Sequence, residues 1–202
     1  MKILKKINKG LILTIIVLVA LTIYLVGVEK QRKADKADIQ KACEEFISFT
    51  DKYLVLPKEI QTLTEQIPES KIKEYETEMK TELENLMISN EEAVKIQNKF
   101  LIANLESGYT SEEIRNKYER KIIKISNYEF EGDQVTVTFR SKVETSTKYL
   151  NEENEEQENK NSFETSSEEI ILQKVDDKWK VVYSNLQFND YDRFYEDSMV
   201  MY

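Results

Sequence analysis

The chain has 202 residues, with 29 Lys and Arg against 38 Asp and Glu and a net charge of −9. It contains no histidine and one cysteine, Cys43. These counts exclude Ser-His and Cys-His nucleophile pairs, a credible zinc site and an intramolecular disulfide. No cofactor and no metal are expected, and carboxylate, Tyr or Lys chemistry is all that stays open to an active site.

Residues 1–10 form a basic tail carrying Lys2, Lys5, Lys6 and Lys9. Residues 11–28, LILTIIVLVALTIYLVGV, have no charge, and only Thr14, Thr22 and Tyr24 bear polar side chains. At 1.5 Å per residue a helix over this run covers about 27 Å, close to the ~30 Å hydrocarbon core of a bilayer. The run exceeds the ~7–15 apolar residues of a secretory signal, and Val26-Gly27-Val28-Glu29 offers no small-x-small cleavage site. A retained transmembrane anchor is the expectation. Lys and Arg are nearly balanced on its two flanks. The short basic start favours an N-terminus inside and a domain outside.

The segment after Val28 holds all 38 acidic residues and 25 of the 29 basic ones, a net −13. Such a charge disfavours nucleic acid and anionic lipid as partners of the soluble part. Residues 29–38 read as a charged helical linker and 39–202 as one domain. Ile39, Cys43, Phe46, Phe49 and Tyr53 recur at helical spacing, which makes Cys43 a small core residue and not a reactive thiol. Pro57 ends that helix by Leu56.

Ile60, Leu63 and Ile67 mark a short segment between Pro57 and Pro68. A further helix is predicted over Ser70 to Met87, with Ile72, Tyr75, Met79, Leu83 and Leu86 on one face. Ser89-Asn90-Glu91-Glu92 reads as a capping box opening a helix with Val94, Gln97, Leu101 and Leu105, closed by Gly108. Thr110-Ser111-Glu112-Glu113 reads as a second capping box, opening a short helix through Tyr118. These stripes hold no strict heptad, so core packing is expected of them in preference to a coiled coil.

From Ile123 the apolar period changes to two. Ile123 and Ile125, then Tyr128 and Phe130, predict a strand with a bulge near Asn127. Glu131-Gly132-Asp133 turns the chain into a long second strand from Val135 to Tyr149, polar on both faces late in its course. Asn151 to Asn161, NEENEEQENKN, is expected to be a solvated acidic loop. Its glutamates match no calcium-loop spacing. Phe163 to Val175 and Trp179 to Leu186 are the third and fourth strands, joined at Asp176-Asp177-Lys178. Trp179, Val181 and Tyr183 are expected to face the core of this last hairpin. Phe188, Tyr191, Phe194 and Tyr195 fall on one face of a short C-terminal helix. Tyr191, Phe194 and Tyr195 are the candidate partner-binding residues, unless that helix docks on its own domain.

The result is an α+β class: an N-terminal transmembrane helix, then helices packed on a four-strand antiparallel meander. The hairpin Ile170-Ile171-Leu172-Gln173-Lys174-Val175-Asp176-Asp177-Lys178-Trp179-Lys180-Val181-Val182 resembles the closing hairpin of the nuclear transport factor 2-like (SnoaL-like, cone-shaped) superfamily. There a turn before a Trp-Lys-hydrophobic strand recurs. The resemblance spans roughly Lys121 to Leu186 and implies a cone-like sheet. Some members of that superfamily use a pocket Asp and Tyr as acid and base. Others are membrane-anchored outside domains, similar to scaffold subunits of bacterial conjugation and type IV secretion machines or to the non-catalytic N-terminal domain of some penicillin-binding transpeptidases. The anchor favours the second group, and the Lys, Ile, Glu and Asn bias suits an AT-rich bacterial genome. The expectation is a non-enzymatic interaction domain in a bacterial envelope with a protein partner. The alternative is a small-ligand pocket protein or an Asp/Tyr-type enzyme.

Overall fold

The computed structural model describes residues 9–55, 57–58, 68–96 and 113–188. The chain divides into two compact units, Met1–Gln40 and Lys41–Tyr202. One helix, α1 (Lys9–Tyr53), contributes to both.

Over residues 12–27, in the first unit, the side chains of α1 point outward all around. Leu13, Ile23 and Tyr24 are 64%, 68% and 67% exposed. Water does not tolerate so large an apolar surface, whereas lipid does. The helix is long and apolar enough to cross a membrane. Thr22 adds no unmet polar group, because its hydroxyl donates to the Leu18 carbonyl at 2.8 Å.

In the second unit the rest of α1 is amphipathic. Cys43, Phe46, Phe49 and Tyr53 are buried. The Phe49 and Tyr53 rings lie 4.9 Å apart, and Tyr53 meets Tyr75 at 5.1 Å. Tyr75 belongs to α2 (Glu69–Leu86), which buries Ile72, Met79 and Leu83. Lys52 of α1 bonds Glu78 and Glu82 of α2 at 2.8 and 2.7 Å. Burial works against the Lys52 charge, yet these two carboxylates hold its pKa above the usual lysine value. Residues 91–96 are helical, and the cap is Asn90 in place of Ser89: its Oδ1 takes the Ala93 N–H at 3.0 Å. Asn90 Nδ2 also donates to the Val182 carbonyl, a long-range contact that Ser89 would forgo. The segment around Ile60, Leu63 and Ile67 lies outside the described residues, as do Gln97, Leu101, Leu105 and Gly108.

The sheet has five antiparallel strands, not four: β1 (Glu113–Glu131), β2 (Gln134–Leu150), β3 (Glu156–Glu164), β4 (Glu168–Val175) and β5 (Lys178–Asn185). The order is β1-β2-β4-β5, with β3 also paired to β2. Three expectations are corrected here.

The short helix through Tyr118 is strand instead. Ile114 pairs with Lys148 and Tyr118 with Thr145, and both Ile114 and Tyr118 are buried. Pairing with a Thr-rich strand thus prevails over a local capping signal. The acidic stretch 151–161 is a loop only at its start. Asn151 Oδ1 accepts the Glu153 and Glu155 N–H groups at 3.0 and 2.8 Å, Asn154 takes φ 59°, and β3 begins at Glu156. The stretch has neither Pro nor Gly to stop a strand, and the polar end of β2 offers a free edge. Lys148–Glu156 and Ser146–Glu158 bonds then join the two. Finally, the expected third strand breaks at Thr165–Ser167. Between the pairs Phe139–Glu168 and Lys142–Glu164, three residues on this strand face two on β2. The extra residue forces a kink, which Thr165 closes by donating its N–H to the Ser141 carbonyl at 2.9 Å.

The turns and the first bulge follow the sequence reading. A register shift lies between Ile125 and Asn127, Gly132 has φ 63°, and Asp176 and Asp177 have φ 49° and 60°. The core face of the sheet carries Val135, Val137, Phe139 and Val143 of β2, Ile170 and Leu172 of β4, and Val181 of β5.

Candidate functional site

Inward positions of a strand normally carry apolar side chains. Two here carry opposite charges: Arg120 on β1 and Glu168 at the start of β4, both with fully buried side chains. Arg120 donates to Glu168 Oε1, to the Tyr118 hydroxyl at 2.9 Å and to the Gln187 carbonyl at 2.7 Å. Glu168 in turn accepts the Gln187 N–H at 3.1 Å and the Thr165 hydroxyl at 3.1 Å. Burying two ions is tolerable only with such a set of partners. The cluster binds β1, the kink before β4 and the segment following β5 at one point. The guanidinium also lies 5.3 Å from the Phe188 ring centre.

Asp51 of α1 approaches from outside this pair. Its Oδ2 accepts the Arg120 backbone N–H at 2.7 Å, and its buried Oδ1 has no partner among the described residues. Burial pushes the Asp51 carboxyl up to about 7, against the pull of the Arg120 N–H and charge, and the Glu119 and Glu168 charges add to the rise. Burial likewise raises the Tyr118 phenol. Sequence reasoning missed this cluster. Its signal was the two-residue period: Glu168, Ile170 and Leu172 share a face, and so do Tyr118 and Arg120. The predicted helix through Tyr118 hid the second set.

Hollows among the described residues lie elsewhere. A shallow groove of about 470 Å³ runs between α1 and α2 over Phe49 and Leu86. A smaller one of about 120 Å³ lies among Phe46, Thr50, Ile96, Leu186 and Phe188. Neither is lined by Asp51, Tyr118, Arg120 or Glu168. Among the described residues no group of three His, Cys, Asp or Glu side chains converges on a metal position. Burial pushes the Cys43 thiol up to about 12, with the Glu44 charge adding to it, so it is a packed, inert side chain.

The residues singled out in the last hairpin separate. Val181 is buried. Trp179 is half-buried, its Nε1 buried without a partner among the described residues and Lys174 Nζ 5.8 Å from its ring centre. Tyr183 is 39% exposed and does not face the core. The cause is a register shift: Leu172 pairs with Val181 but Ile171 pairs with Tyr183, so Val182 is an extra residue. That bulge swaps the faces, turning Tyr183 outward and Leu186 inward. The proposed partner-binding residues Tyr191, Phe194 and Tyr195 lie outside the described residues.

No protein-family model and no curated protein matches the chain. Among solved structures it is similar to the intermembrane space region of the chloroplast protein ARC6. Identity there is 9%, over 76% of this chain and 93% of that one, with a TM-score of 0.37. It is also similar to the association domain of C. elegans CaMKII, at 11% identity over 57% of this chain and 88% of that one, with a TM-score of 0.26. Scores this low assign neither fold family nor function.

Proposed function

We propose that this chain is a membrane-anchored, non-enzymatic interaction domain displayed on the outer side of a bacterial membrane, within the envelope. The observation that carries the reading is the uncharged outward-facing run of α1, joined in one chain to a domain whose ionic cluster is sealed. The fully buried Glu168 carboxylate accepts from Arg120, Thr165 and Gln187, which suits holding strands together. A cone-like sheet of the nuclear transport factor 2-like kind is the finer fold reading, and a scaffold subunit of a transfer or secretion machine is the finer functional one. Topology is tested by an Asn154→Cys substitution in a Cys43→Ser background. Asn154 sits in the exposed β2–β3 turn, so a membrane-impermeant maleimide should label it in intact cells. Labelling seen only after lysis would reverse the orientation.

A second reading has one observation in its favour: Asp51, with a carboxyl near 7, lies close to Tyr118. An Asp/Tyr-type enzyme would use such a pair. It would require a pocket reaching Asp51, and neither described hollow does so.

A further inference from the structure

A sheet edge is a row of unpaired N–H and C=O groups, and folded proteins blunt or cover such edges. Two of the edges here are managed. β1 is broken by three register shifts, and Asp51 takes the outward N–H of Arg120. β5 is covered where Met87 bridges Val181 in parallel, the Ile88 N–H donates to the Val181 carbonyl at 2.9 Å and Asn90 Nδ2 donates to the Val182 carbonyl.

β3 is treated differently. Its pairing with β2 runs through nine residues without a register shift, and it contains no proline. Every side chain from Glu156 to Glu164 except Phe163 is exposed. On its outer side no backbone partner occurs among the described residues. Only the Asn161 side chain folds back, its Oδ1 taking the Ser162 N–H at 2.8 Å. By strand alternation the Lys160 and Glu158 N–H groups face the same way as that of Ser162.

The charge along this edge is mainly negative. Residues 152–164 hold six glutamates against Lys160 alone. Glu156 and Glu158 are occupied by Lys148, Asn116, Ser146 and Lys160 on the ribbon itself. Glu152 and Glu153 make no ion pair among the described residues.

We propose that the outer edge of β3 is a strand-addition site for an extended, basic polypeptide segment of a partner. The backbone would supply the pairing and the glutamates would select for lysine or arginine. This deepens the interaction-domain reading by naming the surface and the chemistry of its partner. A second copy of this chain is disfavoured as the occupant, because two such edges would oppose equal negative charges.

The test uses the full chain in detergent micelles and a twelve-residue peptide of alternating lysine and threonine, with a glutamate–threonine peptide as control. The expected result is saturable binding of the lysine peptide alone, weakening as salt rises. Amide exchange at Glu158 and Lys160 should slow about tenfold on binding, as new hydrogen bonds protect them. Lys160→Pro removes an outward donor at a position where an edge strand accepts proline. It should keep the melting transition and lower affinity at least about tenfold, the scale of a lost backbone bond. Replacing Glu152, Glu153 and Glu155 with Gln should weaken binding several-fold and flatten its salt dependence. The proposal is overturned if the peptide fails to bind, or binds without slowing exchange in β3. It is also overturned if the same amides are protected by concentration-dependent self-association, which would make the edge a homodimer seam. Each of these failures leaves the interaction-domain reading standing with its surface elsewhere, whereas maleimide labelling only after lysis would overturn that reading's topology alone.

Discussion

Replacing Arg120 by Leu tests whether the buried ion pair holds the strands together. The substitution deletes the donors to Glu168, to the Tyr118 hydroxyl and to the Gln187 carbonyl at once. Among the described residues Glu168 then keeps the Thr165 hydroxyl and the Gln187 N–H, with its side chain fully buried. Breaking a buried pair from one side typically costs about 3–5 kcal/mol, because the remaining charge stays desolvated. The double variant Arg120→Leu, Glu168→Leu removes both charges and should recover most of the loss, since apolar replacements of buried pairs are often neutral. Urea unfolding of the full chain in micelles, followed by the fluorescence of Trp179, the single tryptophan, gives all three stabilities. A single-variant loss below about 1 kcal/mol, or a double variant no better than the single, would refute the idea that the pair is a desolvated lock.

Trp179→Ala should cost about 2 kcal/mol, below the 3–5 of a fully buried ring, because the indole is only half-buried. Trp179→Phe should cost less still, since it removes a buried Nε1 that has no partner among the described residues; thermal melts of the two variants check both orders. Asp51 has a folded pKa of about 7 against an ordinary 3.8, so the folded state binds the extra proton between those values and stability should fall as pH rises from about 4 to 7. Asp51→Asn should flatten that slope in denaturant titrations at stepped pH, and a slope left unchanged would place the titration on another group.

Much of this architecture is written in short-range chemistry. The anchor is visible because its length and lack of charge have one physical use. The turns at Gly132 and at Asp176-Asp177 are visible because few residues accept positive φ. What the sequence concealed depends on partners distant in the chain. The stretch from Glu113 to Tyr118 carries a helix-start pattern, yet it is strand because β2, some 30 residues later, pairs with it. The acidic residues of β3 are poor strand formers, but Lys148 and Ser146 across the ladder give Glu156 and Glu158 partners. A single inserted residue is harder still to foresee. Val182 has the same character as its neighbours, and only the pairing of Tyr183 with Ile171 reveals that it is extra.

The same reasoning separates the two ionic features of the domain. Arg120 and Glu168 are buried because their donors and acceptors find partners at the kink between β3 and β4. The glutamates before β3 sit where, among the described residues, no cation answers Glu152 or Glu153. A charge satisfied inside the fold stabilises it, and one left unanswered beside an open strand edge is available to something else. Stability and recognition are therefore carried by opposite ends of one strand line. The break at Thr165–Ser167 lets β4 close the core while β3 remains an exposed ribbon. If that division holds, neutralising the acidic edge should change binding and leave the unfolding transition in place, whereas breaking the Arg120–Glu168 pair should lower the transition whether or not a partner is present.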